Sequence, residues 1–385
     1  MAAIAKETRR HYIYGMNEYL TLISDLSNAA GISGFEDEAV AVLRRYSADM
    51  VRAGVTTSSE DSMRNFYLNR SSSGANASGT LPRLMLDAHS DEVGFMIRTI
   101  KPNGTMEFIT IGGWAPATVP AHRVRVRNSD GVYIPGIIAM KPTHFMTEAE
   151  RSAAPVITNL VIDVGASSGR ELREDYRIGI GAPVVPDTVF EYRENSGIMI
   201  GKAFDNRLGC AALLAVQQRL AGTELGVELC AAFASQEEVG LRGATVTVQT
   251  VKPDIAIVFE GAPADDTVAE EYARQTALKK GPMLRHIDER MITNPCFQRF
   301  ALDIARKNNI PVQEGVRTGG ATNGGAIHLG GKAIPVIVIG IPVRYIHTHY
   351  GIAAYQDFES AVQLGCEIIK ALNKNVIQNL YQNRL

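Results

Sequence analysis

Apolar and polar positions follow two different textures along this chain. Residues 15–29 place Leu20, Ile23 and Leu26 at helical spacing, and Gly31 breaks the pattern. Ser33 then precedes GFEDEAVAVLRRYSADM, with Glu36, Asp37 and Glu38 in its first turn, which predicts a second helix capped near Ser33. Residues 71–80 (SSSGANASGT) read as a small-residue loop. The run Leu84, Met85, Leu86 reads as a buried strand ending in polar residues.

From about 92 to 185 the texture changes. Apolar runs are short and turn signals frequent, at Pro102-Asn103-Gly104, Gly112-Gly113 and Ser129-Asp130-Gly131. Only a short helical pattern interrupts them near 168–175. Such a segment predicts a small β-rich unit, barrel or sandwich-like. From 186 onward strand-like runs alternate with helical ones. AFDNRLGCAALLAVQQRLAG, NPCFQRFALDIARKNN and a final DFESAVQLGCEIIKALNKN read as helices; GVELCAAFAS, PDIAIVFEG and KAIPVIVIGIP read as strands. That alternation predicts an α/β fold, a mostly parallel sheet with helices on both faces. The simplest organisation is one discontinuous domain, 1–91 and 186–385, with a small β-barrel-like domain, 92–185, inserted in it.

Composition narrows the function classes. An apolar fraction of 45% with 21% charge suits a globular protein rather than a disordered or fibrous one. A net charge of −2 carries no electrostatic footprint for nucleic acid or an anionic membrane, so neither is expected as a partner. Four cysteines, 210, 230, 296 and 366, form no C-x-x-C pair and read as reduced thiols of a cytoplasmic protein. The N-terminus has no apolar core of a secretory signal, and no apolar run reaches the ~18 residues of a membrane span.

Ligands of open α/β sheets bind beyond the carboxyl ends of the strands, so the residues following each predicted strand matter most. They are His89 and Asp91, then Glu237 and Glu238, then Glu260, then His347 and His349, with Asp205 at a helix start. Imidazole with carboxylate suits zinc, cobalt or manganese. His89, Asp205, Glu238, Glu260 and His347 would supply private ligands and one bridge for two divalent ions. Glu237 is left over as a general base, and Asp91 could orient the His89 ring. Each piece also has a plainer reading. Asp205 could cap its helix, Glu237-Glu238 could be a solvated pair, and His347 and His349 could be core histidines. His122, His144, His286 and His328 read as structural. Arg344 could meet an acidic substrate side chain or form a structural ion pair.

At these residues the chain resembles the dinuclear-metal aminopeptidases that include the glutamyl aminopeptidases and the tetrahedral, self-compartmentalising aminopeptidases. The matching stretches are LDAHSDEVGFMI, KAFDNRLG, SQEEVGLRGA, GAIHL and GIPVRYIHTH, within a resemblance from about 15 to 375. The resemblance implies two divalent metals per subunit, with zinc first and cobalt or manganese as alternatives. His89 and Glu260 would hold one, Glu238 and His347 the other, and Asp205 would bridge them. Asp91 would orient His89, and Glu237 would activate the water. The resemblance further implies short peptide substrates, removal of their N-terminal residue, dimerisation through 92–185, and dimers assembling into a dodecamer. Two positions depart from it: Glu260, where Asp is frequent, and Asn323, where an acid is common. Two other readings stay open. One is another hydrolase on the same centre, an N-acyl deacylase or a carboxypeptidase; the other is a catalytically silent assembly protein.

Overall fold

A computed structural model describes residues 18–70 and 81–382. The small-residue stretch 71–80, the N-terminal segment and the first residues of the predicted opening helix lie outside that range. Four parallel strands form the centre of an eleven-stranded sheet, in the order Glu228–Ala234, Arg83–His89, Ile255–Pro263, Val336–Arg344. Their side chains alternate between two buried faces. Leu84, Leu86, Ile255, Ile257, Phe259, Ile337 and Ile339 pack on one side; Met85, Ala256, Val258, Val336 and Val338 pack on the other. Burial on both faces is why these strands read as continuous apolar runs rather than as alternating ones.

The helix Phe204–Arg219 crosses the first face and is buried around most of its circumference. Glu18–Asn28, Asp37–Arg52, Pro295–Lys307 and Tyr355–Ala371 share that layer, while Arg242–Val251 and the short Gly324–Ile327 cover the other. Parallel pairing dominates only the centre. Phe66–Arg70 and Thr56–Glu60 extend one side antiparallel, and Gly351–Ala354, Ile198–Gly201 and Glu191–Arg193 extend the other. The sheet as a whole is therefore mixed. These flanking strands are only three to five residues long, and the outermost, Thr56–Glu60, is exposed on four of five residues, so no long apolar run announced them.

Two helix boundaries differ from the sequence pattern. The second helix begins at Asp37 behind Glu36, without a side-chain cap. The Ser33 hydroxyl donates instead to Asp91, 2.6 Å away. The pattern taken as the last helix stops at Ala371, and a further helix, Lys374–Tyr381, starts behind Asn373, whose side chain accepts from the Asn375 and Val376 N–H groups.

Between Gly94 and Pro186 six strands close into a barrel. Phe95, Ile97, Phe108, Val124, Val126, Ile138, Ile162 and Val184 fill its interior as a separate core. The helical pattern near 168–175 is the short helix Gly169–Glu174, and a second short helix, Glu148–Ser152, lies in the same stretch. The four cysteines are buried and none is in a disulfide. Among the described residues no helix is long and apolar enough to cross a membrane.

Candidate metal centre

The four central strands end on one side of the sheet and deliver their chemistry there. His89 is the last residue of its strand, Glu237 and Glu238 follow Glu228–Ala234, Glu260 lies within Ile255–Pro263, and His347 follows Val336–Arg344. Asp205 arrives from the other direction, on the first turn of Phe204–Arg219. Its φ of −86° and ψ of 104° are not helical, and its carboxylate faces the histidines instead of capping the helix. Ala203, Gln236 and His347 carry left-handed φ values of 56°, 52° and 57°. Non-glycine residues in that region are strained, and such strain concentrates where surrounding structure holds functional groups in place.

The two oxygens of Asp205 divide between the two histidines. Oδ1 lies 3.0 Å from His89 Nε2, and Oδ2 lies 3.2 Å from His347 Nε2. His89 Nε2 is also 3.2 Å from Glu260 Oε1 and 3.9 Å from Glu237 Oε2. His347 Nε2 is 3.3 Å from Glu238 Oε1. Donor atoms of His89, Asp205 and Glu238 lie within 4.8 Å of one another, as do those of His89, Glu237 and Glu260. The buried Glu260 Oε2 has no hydrogen-bond partner. Ring nitrogens and carboxylate oxygens at such spacing, with an orphaned buried acceptor among them, fit divalent cations of the zinc, cobalt or manganese type. Glu237 stands beside the other acids, with its carboxylate in the same 4.8 Å group as His89 and Glu260.

Electrostatics point the same way. Burial pushes the Glu237 carboxyl well above its usual range, helped by the carboxylates of Glu260, Glu238 and Asp205. Burial likewise raises Glu260 to about 8. Burial alone would depress both imidazoles. The charges of Glu260 and Glu237 instead lift His89 well above its usual value, and Asp205 with Glu238 lifts His347 to about 11. Four acids packed this tightly need compensating positive charge.

Asp91 sits behind this cluster, fully buried. Its Oδ1 is 3.3 Å from His89 Nδ1, and its backbone oxygen is 3.2 Å from the same nitrogen. Its carboxylate also accepts the backbone N–H groups of Glu237 and Glu238. One side chain therefore orients a histidine and the paired glutamates together.

Sequence reasoning missed a second buried network. Lys202 Nζ donates to both oxygens of Glu92, at 2.6 and 2.7 Å, and to the Ala29 carbonyl. Arg207 donates to the carbonyls of Leu26, Ala29 and Gly31. The signal was present: Lys202 stands two residues before the helix Phe204–Arg219 and Arg207 within it, where nearly every neighbouring side chain is buried. The two cations tie the loop after Glu18–Asn28 to the residues flanking His89 and Asp205.

A cleft of about 600 Å³ opens over the cluster. Besides the acids it is lined by Arg285, Arg290 and Arg317, none of which the sequence singled out. Arg285 pairs with Asp288 and Arg317 with Asp265, both at 3.2 Å; among the described residues Arg290 has no ion pair. Arg344 is not part of this wall. It donates twice to Asp266, at 2.8 and 2.7 Å, so it forms the structural ion pair. His349 is buried and stacks on His122 with ring centroids 4.1 Å apart, away from the ligand set. His286 pairs with Glu314, and His328 bonds to the Gly324 carbonyl. Asn323 is buried beneath the cluster and donates to Asp87 at 2.7 Å. An acid at that position would set two buried carboxyl groups against each other.

The chain resembles known proteins throughout its length. Residues 72–364 match the family described as M42 glutamyl aminopeptidase. The glutamyl aminopeptidase of Lactococcus lactis subsp. cremoris is 32% identical over 364 residues, spanning 94% of this chain and 99% of that one. The TET aminopeptidase of a marine-sediment Thaumarchaeota archaeon superposes with a TM-score of 0.88 at 33% identity, covering 94% of this chain and 100% of that one. The TET1 peptidase of Pyrococcus horikoshii, which can assemble into a tetrahedron or a large octahedral shell, has a TM-score of 0.80 at 25% identity, over 92% and 100% of the two chains.

Proposed function

Because this chain belongs to the M42 glutamyl aminopeptidase family and is a peptide hydrolase, we propose that it removes the N-terminal residue of short peptides at the cluster described above. Two divalent cations, zinc first and cobalt or manganese as alternatives, would be held by His89, Glu260 and Asp205 and by Asp205, Glu238 and His347; when bound they supply polarisation of the scissile carbonyl and a water of lowered pKa. The observation that carries this reading is the split of the Asp205 carboxylate between two histidines, which is the geometry of a bridge.

The chain's own residues perform the proton transfers. Glu237 faces the cleft and takes a proton from the attacking water, whose hydroxyl adds to the carbonyl carbon. The same carboxyl then returns that proton to the departing amine as the peptide bond breaks. Asp91 keeps the His89 ring and the Glu237 backbone in register during both steps.

The arginine wall supports an acidic first residue as substrate, because a carboxylate entering the cleft meets three guanidinium groups, one of them unpaired. The domain reading assigns 1–91 and 186–385 to catalysis and 92–185 to dimerisation. Exposed apolar side chains on the barrel unit, among them Ile137, Phe145 and Ile180, support an interface there. Relatives solved as a dodecamer and as a tetrahedron support dimers associating further, to a dodecamer; four thiols without a disulfide suit the cytoplasm.

A peptide panel with metal-reconstituted protein tests this. Glutamyl peptides with a free N-terminus should be cleaved and N-acetylated ones spared. Cleavage of the blocked substrates indicates a deacylase, release of C-terminal residues a carboxypeptidase, and no turnover a silent assembly protein. Arg290→Ala should lower kcat/KM for glutamyl substrates by about 10-fold or more, with leucyl substrates unaffected.

A further inference from the structure

The inserted barrel reaches into the metal centre. His347 Nδ1 lies 2.9 Å from the backbone oxygen of Gly113, in the loop that follows the barrel strand Met106–Ile111. With a cation bound, an N–H on Nδ1 would donate to that carbonyl and leave the Nε2 lone pair for the cation. The neighbouring Gly112 has a φ of +78°, and a Cβ there would stand 2.6 Å from Val93 and 3.1 Å from Glu238 Oε2. Gly113 has the same constraint, since a Cβ would come within 3.2 Å of His347 Nδ1. Two consecutive glycines are what allows a backbone this close to both side chains.

The loop is itself clamped. Trp114 stacks on Phe95 of the barrel at 4.6 Å and leans on His349 at 5.0 Å. His122 stacks on His349 at 4.1 Å, and Thr188 donates to the His349 carbonyl at 2.7 Å. Phe95, Trp114, His122 and Thr188 all lie in or against the inserted unit, and all grip the segment that carries His347. His89 differs, because its Nδ1 is held by Asp91 from the α/β domain.

We propose that the Gly112–Trp114 loop of the barrel is a positioning element for His347, making one of the two cation positions dependent on the inserted domain and leaving the other independent of it. The inference rests on the two-cation reading of the site. A carbonyl behind a ligating imidazole fixes its tautomer and orientation, and loss of such a partner costs about 10–100-fold in metal affinity.

Cobalt titration of the metal-free protein, followed by visible absorption with chelator competition, tests the two ideas separately. Wild type should bind two equivalents; fewer would overturn the two-cation reading, and this inference with it. Given two, Trp114→Ala and Gly112→Ala, each checked for folding by circular dichroism, should weaken one equivalent by about 10–100-fold and leave the other unchanged. Trp114→Phe, which keeps an aromatic ring on Phe95, should restore the wild-type pattern. Equal weakening of both equivalents, or two wild-type affinities in a folded variant, overturns the proposal. If Trp114→Ala does not fold, Gly112→Ala decides the outcome.

Discussion

Glu237 and Asp205 share one crowded cluster but have different tasks, and single substitutions separate them. Glu237→Gln keeps the shape and removes the proton acceptor. Turnover should fall by about 10²–10⁴-fold while elemental analysis still finds both metals; normal turnover would refute the assignment. Asp205→Ala removes oxygens aimed at two histidines at once, so metal content per chain should drop on the same measurement. The residues proposed for these roles were legible because Glu237 follows an apolar run and Asp205 opens a helix, the places where ligand chemistry concentrates in α/β sheets. Arg285, Arg290 and Arg317 were not. They lie outside the four central strands, on segments that meet only when the sheet is assembled. Arg344 stood beside the best motif and went to Asp266 instead, because ion-pair partners are chosen in three dimensions.

At the scale of elements, buried ions hold the site's scaffold together. Lys202 and Glu92 are each 1% exposed, and they join the strand end at His89 to the helix start at Asp205. Removing Lys202 takes away the cation 2.6 Å from Glu92 and leaves Arg207, at 3.7 Å, as its remaining cationic partner among the described residues. Lys202→Ala should therefore destabilise the fold by about 3–5 kcal/mol in chemical denaturation, far more than loss of a surface pair such as Arg170 with Glu174. The central strands matched the sequence pattern because burial on both faces leaves a continuous apolar run, and the amphipathic helices because burial on one face writes a period into the chain. The flanking strands did not, since three to five residues are too few for either signal. Ser33 shows a related limit: its spacing suited a helix cap, yet its hydroxyl serves Asp91, a partner 58 residues away.

At the scale of the whole molecule, the predicted behaviour is metal-dependent and collective. Chelation should abolish peptide cleavage, and zinc or cobalt should restore it. Sedimentation of the intact protein should give a species of twelve 41.7 kDa chains; a monomer at micromolar concentration would contradict the assembly. The sequence by itself determined the α/β class, the inserted barrel and the set of acids and histidines offered at strand ends, because periodic burial and local chemistry are properties of neighbouring residues. Tertiary structure alone decided which oxygens face which ring, which arginines line the cleft, and that a barrel carbonyl supports His347. Those choices depend on distances between segments up to 234 residues apart, and no local pattern encodes them.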